Sequence, residues 1–246
     1  MLGLPAPITV ALFDLDGVLT TTATLHTAAW RDAFNAFLSA RAQDAPAADG
    51  EDLRPFTEQD YLDHVDGRPR TDGVRGFLAS RGIVVDDATV ERIADGKNAA
   101  FLAQLAEDGA TAYPGSVRYL TAAHDAGLRI AVVTSSRNGE QVLASAGLDR
   151  FVEQRVDGNT IVAEKLAGKP APDSYLRGAQ LMGADPAECA VFEDAISGVQ
   201  AGAAGHFGYV VGIDRVGGEQ RATMLEAGAS VVVNDLDELL GSEEGN

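Results

Sequence analysis

Cysteine, tryptophan and long apolar runs are all scarce in this sequence. It contains one cysteine, Cys189, and one tryptophan among 246 residues. A single cysteine excludes an internal disulfide and is typical of a reducing compartment, so we expect a cytoplasmic protein. No apolar run approaches the roughly 20 residues of a membrane helix, and the first residues lack the basic region of a signal peptide. The sequence therefore argues against a membrane-spanning or secreted protein.

Positive charge is also scarce. The 19 Lys and Arg residues face 37 Asp and Glu residues, which gives a formal net charge of -18 at pH 7. Such a chain repels nucleic acid and anionic membranes, so we expect neither as a partner. An anionic substrate would have to be met by a few cations gathered at one site. The apolar fraction of 46% suits one large domain, or a core with a smaller insert.

The order of predicted helices and strands indicates an α/β fold with an insert. The apolar segment Pro7–Phe13 is typical of a buried strand. Residues 22–108 show helical periodicity and no strand pattern. Strands then alternate with helices, which predicts a Rossmann-like parallel sheet with helices on both faces. We therefore predict an α/β core formed by residues 1–21 and 109–246, interrupted by a helical unit at 22–108.

Periodicity and cap residues set the expected bounds of the elements. The predicted helices are Thr24–Arg41, Thr57–Val65, Gly73–Arg81, Asp87–Glu107, Ser116–Ala126, Asn138–Ala146, Pro172–Met182, Ala195–Ala204 and Gly218–Ala227. The further predicted strands are Arg129–Thr134, Cys189–Phe192, Phe207–Ile213 and Ser230–Val233. Ala42–Pro55 is expected to be a loop and Gly241–Asn246 a disordered tail.

Ligands of open parallel sheets bind beyond the carboxyl ends of the strands, so the residues that follow each strand are site candidates. Asp14 and Asp16 follow the first strand, with one residue between them. Alternate residues of an extended segment point to one side, so both carboxylates face the same space. A bare pair of this kind is often a solvated turn or a helix cap. The buried strand before it and Gly17 after it favour a functional site.

Three further strand ends or loops carry polar residues. Glu193 and Asp194 follow one strand, and Lys169 lies between a glycine and a proline ahead of a helix. A polar run at the start of another helix is either an ordinary cap or an anion site; it comprises Thr134, Ser135, Ser136, Arg137 and Asn138. Clustered carboxylate oxygens suit Mg²⁺, and the predicted metal-site residues are Asp14, Asp16, Glu193 and Asp194.

Four segments, in this order and spacing, resemble the motifs of the haloacid dehalogenase superfamily. They are DLDGVLT, VVTSS, GKPAPD and VFEDAISGVQAG. Within the helical unit, VDGRPRTDGV and FLASRGI resemble the cap of the β-phosphoglucomutase-like subfamily, as do Thr22, His26 and the pair Lys97-Asn98. Thr134 stands where related enzymes often carry serine, which keeps the hydroxyl. The extra loop Ala42–Pro55 departs from the pattern and leaves its own role open.

The resemblance implies a reaction. Asp14 would be the nucleophile that forms a phosphoaspartate, and Asp16 the general acid and base. Thr134, Ser135 and Lys169 would hold the transferring phosphoryl group. Mg²⁺ would be the cofactor, held by Asp14, the Asp16 carbonyl and Asp194, with Glu193 in or near its shell. The implied activity is the interconversion of β-D-glucose 1-phosphate and glucose 6-phosphate through a 1,6-bisphosphate.

A bisphosphate requires a second phosphate site. The resemblance assigns it to Arg70 of the cap with Ser136, Arg137 and Asn138 of the core. Other implied substrate-binding residues are Thr22, His26 and Lys97, although a helix-packing role for His26 is an open alternative. A sugar-phosphate phosphatase on the same scaffold is the first alternative function, and a catalytically inactive ligand-binding module is the second. We expect a monomer.

Overall fold

The computed structural model describes residues 1–44 and 50–241, and its centre is a six-stranded, wholly parallel sheet. The strands are β1 Val10–Phe13, β2 Arg129–Val133, β3 Gln154–Val156, β4 Cys189–Glu193, β5 Tyr209–Ile213 and β6 Val231–Val233. Their spatial order is β3-β2-β1-β4-β5-β6. Strand β1 therefore lies at the middle, between β2 and β4, and its carboxyl end is flanked by theirs.

Helices follow the strands, and five of them come between β1 and β2. The first four form the insert and are α1 Ala23–Asp44, α2 Glu58–His64, α3 Arg70–Ser80 and α4 Asp87–Asp108. The others are α5 Pro114–Asp125, α6 Gly139–Ser145, α7 Gly158–Glu164, α8 Asp173–Met182, α9 Ile196–Ala204 and α10 Gln220–Glu226. Short 3₁₀ turns lie at Asp149–Phe151, Pro186–Glu188 and Leu236–Leu239.

The sheet is buried on both faces. Along β1, Ala11 and Phe13 belong to one apolar cluster, whereas Val10 and Leu12 belong to a second one on the opposite face. Helices α5 and α6 contribute to the first cluster, and α8, α9 and α10 to the second. Because both faces are covered, the strands are continuous apolar runs rather than alternating ones. This arrangement is the predicted three-layer α/β core.

The four helices of the insert have an apolar cluster of their own. Its centre is Phe34, whose ring lies 5.0 Å from that of Trp30 and 4.3 Å from that of Phe77. Phe56 packs edge-on against Phe77 at 5.0 Å. None of the residues in this cluster belongs to the two clusters of the sheet. The helical insert thus has a core of its own, while Ala29 of α1 and Phe101 and Leu105 of α4 pack into the first cluster of the sheet.

Two adjacent chain connections join the helical insert to the sheet. The outgoing one runs through Leu19 and Thr21, and the returning one through Thr111 and Tyr113. The Thr21 amide donates to the Thr111 carbonyl at 2.9 Å, and the Tyr113 amide to the Leu19 carbonyl at 3.0 Å. The connections therefore form a short ladder at the base of the insert.

The α/β class, the parallel sheet and the helical insert are confirmed. Strand β3 and helix α7 were not predicted, because QRV is too short and too polar to give a strand pattern and GNTIVAE opens with two poor helix formers. The first strand is shorter than predicted and starts at Val10. None of the helices in the described ranges is long and apolar enough to cross a bilayer.

The predicted loop Ala42–Pro55 is only partly a loop. Helix α1 continues to Asp44, so the first three residues of this segment are helical. Residues 50–55 have no regular structure, as expected. Residues 45–49 lie outside the described part of the chain. The same holds for 242–246, on which the predicted disordered tail falls.

The aromatic cluster of the insert gives the first testable prediction. Phe77 is fully buried, so Phe77→Ala should lower the free energy of unfolding by about 3–5 kcal/mol through lost burial and a residual cavity. Val84→Ala, at a side chain that is 86% exposed in the same insert, is the control and should change stability by less than about 0.5 kcal/mol. Urea denaturation followed by the fluorescence of Trp30 measures both. Equal effects of the two substitutions would contradict the packing described above.

Candidate active site

Asp14 stands directly after the central strand β1. Its amide donates to the carbonyl of Phe192 at 2.9 Å, which extends the β1–β4 ladder by one residue and fixes the backbone. Its Oδ1 accepts from Lys169 Nζ at 2.6 Å. Burial, partly offset by Lys169 and reinforced by Glu193 and Asp16, raises the pKa of Asp14 to about 8. The site therefore holds more buried negative charge than Lys169 neutralises.

Lys169 is fully buried and uses all three ammonium protons. It donates to Asp14 and to Glu193 Oε1 at 2.6 Å each and to the Val133 carbonyl at 3.2 Å. Burial lowers its pKa, but the two carboxylates raise it above the ordinary value overall. The ammonium group is thus charged and held in one position below Asp14.

Glu193 directs its carboxylate at protein donors. Oε1 accepts from Lys169 and from the Tyr175 hydroxyl at 3.0 Å, and Oε2 accepts from the Ala195 amide at 3.0 Å. The side chain occupies the space beside Gly198, where a Cβ would lie 1.7 Å from Oε1. Glu193 therefore orients Lys169, and both of its oxygens are already hydrogen-bonded.

Asp16 lies on the loop between β1 and the insert. Its Oδ1 accepts from Thr22 Oγ1 at 2.5 Å and lies 3.2 Å from His26 Nε2, and its Oδ2 accepts from Thr134 Oγ1 at 3.3 Å. Burial favours the neutral acid, but the charge and hydrogen bonding of His26, with Thr22 and Lys97, lower the pKa of Asp16 to about 2. The carboxylate is ionised in this arrangement.

His26 and Lys97 form a buried pair above Asp16. Lys97 Nζ lies 2.5 Å from His26 Nδ1, and the imidazole stacks on Phe101 with centroids 4.0 Å apart. Burial and the nearby Arg70 lower the pKa of Lys97 to about 7. Burial and Lys97 likewise lower the pKa of His26. Both side chains come from the insert, on α1 and α4, so the environment of Asp16 is built partly by helices outside the sheet.

A second group of carboxylates adjoins Asp14. Burial, then Asp66 and Glu193, raise the pKa of Asp194 well above its usual range. Burial and Glu193 raise the pKa of Asp66 to about 6. The backbone of Gly17 approaches Asp194 so closely that a Cβ there would lie 1.8 Å from Oδ2. Across residues 1–44 and 50–241, no three His, Cys, Asp or Glu side chains by themselves form a complete metal site.

The segment that carries Asp66 packs directly on the sheet core. Ser197 Oγ donates to the Asp66 carbonyl at 2.9 Å, and Ser135 Oγ donates to the Gly67 carbonyl at 2.7 Å. A Cβ on Gly168 would lie 2.2 Å from Pro69. The insert is therefore closed over the carboxyl ends of the strands.

Asn98 joins the insert to the core on the far side of the cavity. Its Oδ1 accepts from Arg70 Nη2 at 2.8 Å and from Asn138 Nδ2 at 2.9 Å. Burial and the charge of Arg137 lower the pKa of Arg70. Arg137 itself is exposed, and its Cγ lies over Gly158 at the start of α7. The second cationic end of the cavity is thus centred on Arg70.

The cavity between sheet and insert has a volume of about 70 Å³, which is room for a few water molecules with the insert in this position. The predicted residues that line it are Asp14, Asp16, His26, Arg70, Lys97, Thr134, Ser135, Ser136, Asn138, Glu193 and Asp194. Thr22 and Lys169 lie behind it, bonded to Asp16 and Asp14. Arg137 lies at its outer edge rather than on its wall.

Several residues of the site were not predicted. Tyr61, Asp66 and Arg68 line the cavity, Asn98 links Arg70 to Asn138, and Tyr175 supports Glu193. Asp66, Arg68 and Asn98 lie within or beside the segments of the insert that resemble the cap of the subfamily. Their position in these segments was the sequence feature that could have identified them as site residues. Tyr61 and Tyr175 gave none, because buried tyrosines are common in any core.

Comparisons with known proteins agree with this geometry. The model of the family described as haloacid dehalogenase-like hydrolase matches residues 8–206. A β-phosphoglucomutase of Mycobacterium tuberculosis (strain CDC 1551 / Oshkosh) is 52% identical over 251 aligned residues, which cover 98% of this chain and 94% of that protein. Hexitol phosphatase A of Escherichia coli is 30% identical, covering 78% of this chain and 77% of that protein.

Solved structures show the same fold. A β-phosphoglucomutase from Clostridium difficile matches with a TM-score of 0.75 at 23% identity, covering 94% of this chain and 93% of that one. A second structure, described as a putative β-phosphoglucomutase from Bacteroides vulgatus, also reaches 0.75, at 22% identity and 94% and 85% coverage. The family and fold expected from the four motifs are confirmed.

The buried Lys97 gives a prediction about pH. Lys97→Met should stabilise the protein at pH 6 by up to about 4 kcal/mol, because the folded wild type must there bury a charged amine. Between pH 7 and the ordinary value of 10.5, the unfolded chain keeps a proton that the folded chain has released. Wild-type stability therefore rises with pH over that window, and the advantage of the variant should shrink.

Urea denaturation at pH 6 and pH 9 measures this effect. Lys165→Met, at an exposed lysine, is the matched control and should show the same small change at both pH values. An advantage of Lys97→Met that does not depend on pH would show that the amine is not strained by burial.

Proposed function

Because this chain belongs to the haloacid dehalogenase-like hydrolase family, we propose that it is a β-phosphoglucomutase that interconverts β-D-glucose 1-phosphate and glucose 6-phosphate. One observation carries the proposal. The cavity between sheet and insert has a nucleophile with a fixed ammonium group at one end and a cap arginine tied to the core at the other. A bisphosphate has an anion for each end. Identity of 52% to a protein named β-phosphoglucomutase supports the same conclusion.

Asp14 is the proposed nucleophile. One oxygen is held by Lys169, and attack by the other on a phosphoryl group forms an acyl phosphate on Asp14 while the sugar oxygen leaves. Lys169 contributes fixed positive charge where the transition state spreads its negative charge. Thr134 and Ser135, which line the cavity beside Asp14, complete the proposed phosphoryl site.

The carboxylates around Asp14 fit a divalent cation. Asp14, Asp66, Glu193 and Asp194 surround one ammonium group, and burial with mutual repulsion raises the pKa of three of them. Mg²⁺ takes few carboxylates together with water and phosphate oxygens, so the absence of a three-side-chain site is compatible with it. Asp14, the Asp16 carbonyl and Asp194 would hold the ion, which would neutralise phosphate oxygens as they approach Asp14. Glu193 would act through Lys169, since both of its oxygens are already hydrogen-bonded.

Asp16 is the proposed general base and acid. Its lowered pKa leaves it ionised, the state needed to take the proton from a sugar hydroxyl that attacks the phosphoaspartate. The carboxylic acid so formed then returns this proton to the sugar oxygen that leaves in the second transfer. Thr22 and His26 hold the carboxylate in place during both steps.

Arg70, with Ser136 and Asn138, is proposed to bind the phosphate that is not reacting. A guanidinium group suits this role because it grips phosphate with two parallel hydrogen bonds. Arg137 would add charge from the edge of the cavity. We assign residues 22–108 as the cap that carries this grip and residues 1–21 and 109–246 as the catalytic core. A cytoplasmic location, a monomeric state and the lack of nucleic-acid or membrane partners stay predictions.

The proposed function is tested by its products. The protein is incubated with β-glucose 1-phosphate, Mg²⁺ and catalytic glucose 1,6-bisphosphate, and glucose 6-phosphate is expected to form with little inorganic phosphate. Asp14→Asn should abolish this conversion, because an amide cannot form the acyl phosphate, and a chelator should do the same. Free glucose and inorganic phosphate as the main products would instead support the phosphatase alternative.

The cap arginine gives a sharper prediction. Arg70→Ala should lower kcat/KM for β-glucose 1-phosphate by about 10²-fold or more, as expected for a lost charge-assisted phosphate contact. Hydrolysis of acetyl phosphate, which has no second phosphate, should barely change. Arg75→Ala is the matched control, since Arg75 lies on the same helix, is exposed and pairs with Asp87. Steady-state kinetics of both reactions measure these effects. An equal loss of activity in both reactions would show that Arg70 supports the folding of the cap rather than phosphate binding.

A further inference from the structure

Arg215 lies beyond the sheet and outside the cavity, yet it reaches the loop that carries Asp16. It follows β5, where Asp214 accepts hydrogen bonds from the amides of Val216 and Gly217 at 3.2 and 2.6 Å. This turn fixes the backbone on both sides of Arg215. The side chain is only 17% exposed, and none of the four sequence motifs includes it.

The guanidinium group of Arg215 binds the outgoing connection to the cap. Nε donates to the Gly17 carbonyl at 2.9 Å, and Nη2 reaches the Val18 carbonyl at 3.4 Å. These two residues come immediately after Asp16. Since backbone carbonyls are held rather than side chains, the contact fixes the path of the chain itself.

The same group also binds the returning connection and the core. Its central carbon lies 3.7 Å from the ring centroid of Tyr113, the residue that begins α5. Nη1 donates to the Asn234 carbonyl at 2.8 Å, and Nη2 pairs with Asp235 at 3.2 Å. One planar side chain thus joins both connections to the loop after β6, a use that suits arginine and not lysine.

The loop held in this way sets the position of Asp16. The Gly17 amide donates to the Thr20 carbonyl at 2.8 Å, and Thr20 Oγ1 lies 2.6 Å from Thr22 Oγ1. Thr22 in turn donates to Asp16. Displacement of the Gly17 and Val18 carbonyls would therefore shift the carboxylate that exchanges the proton with the sugar.

We propose that Arg215 is a positioning residue that clamps the base of both cap connections, so that the backbone that carries Asp16 stays in place while the cap opens and closes above it. The inference rests on the proposed function for its kinetic consequence. Its structural consequence does not depend on any substrate. When the cap moves, we therefore expect the outgoing connection to bend after Leu19 and the returning connection to bend before Tyr113.

Hydrogen exchange tests the clamp without substrate. In Arg215→Gln, the amides of Thr20, Thr21 and Tyr113 should exchange about tenfold faster or more than in the wild type, while those of β1 and β4 keep their protection. Arg118→Gln is the matched control, because Arg118 is exposed and pairs with Asp237 near the same core loop. Unchanged exchange at the three connection amides would overturn the proposal.

Kinetics test the link to Asp16. Arg215→Gln should lower kcat for β-glucose 1-phosphate by about 10–10²-fold with little change in KM, in line with a misplaced catalytic group. Single-turnover phosphorylation of Asp14 by acetyl phosphate should fall far less, because its leaving group needs no proton. Arg215→Lys should recover only part of kcat. Equal losses for both donors would reduce Arg215 to a structural role and overturn the proposal.

Misfolding of the variant and failure of the proposed function can each be distinguished from failure of the clamp proposal. If Arg215→Gln does not fold, Tyr113→Leu, which removes only the ring beneath the guanidinium, should give a weaker form of the same exchange and kinetic pattern. If the wild type does not convert β-glucose 1-phosphate at all, the proposed function fails, whereas the exchange measurement still decides whether the clamp exists.

Discussion

The ammonium group of Lys169 is the contact on which the rest of the site depends. It is buried and hydrogen-bonded to Asp14, Glu193 and the Val133 carbonyl, and it therefore joins three adjacent strands of the sheet at their carboxyl ends. Removing one partner of such a buried network leaves an uncompensated charge and is costly. Tyr175 supports Glu193 from behind, and Gly198 provides the space that the glutamate occupies. A polar network that is this well satisfied holds the nucleophile in one orientation before any ligand arrives.

The same network leaves a charge imbalance. One lysine faces four carboxylates, and burial raises the pKa of Asp14, Asp66 and Asp194. A divalent cation at the phosphoryl end would reduce this imbalance. Because the chain has a net charge of -18 and few cationic side chains, the positions of those at the site are informative. Arg68 and Lys97 also line the cavity, and Arg70 and Arg137 lie at its other end. The acidic surface and the polarised cavity together favour a small anionic ligand over a macromolecular one.

The sequence predicted the parts of the site that are local to strand ends. Asp14, Thr134 and Asp194 follow β1, β2 and β4, and parallel strands bring such positions together regardless of other details. The role of Asn98 depends instead on how close the closed cap comes to the core, and no periodicity or spacing encodes that distance. Strand β3 escaped prediction for a related reason, since a three-residue edge strand is stabilised by its neighbour β2 rather than by its own pattern. Glu193 lies beside Asp14 at the end of the neighbouring strand, as its position after the apolar run suggested, but its hydrogen bonds to Lys169 and the Ala195 amide became visible only in three dimensions.

The side chains around Asp16 come from both the core and the insert. This arrangement suggests how a hydrolase-family scaffold would transfer phosphate to a sugar rather than to water. Asp16 is supplied by the core, whereas His26 and Lys97 come from helices of the insert. With the cap raised, the Asp16 carboxylate would lose its contact with His26, while the backbone that carries it stays held by the core. On the proposed function, water that reaches the phosphoaspartate in the open enzyme meets a base whose carboxylate is not held by the cap. A bound sugar phosphate, gripped at its far phosphate by Arg70, closes the cap and completes the base at the same time. Binding energy from the non-reacting phosphate is then used to assemble the group that the reaction needs. On this proposal, selectivity for sugar over water would follow from the same contacts that hold the insert against the sheet.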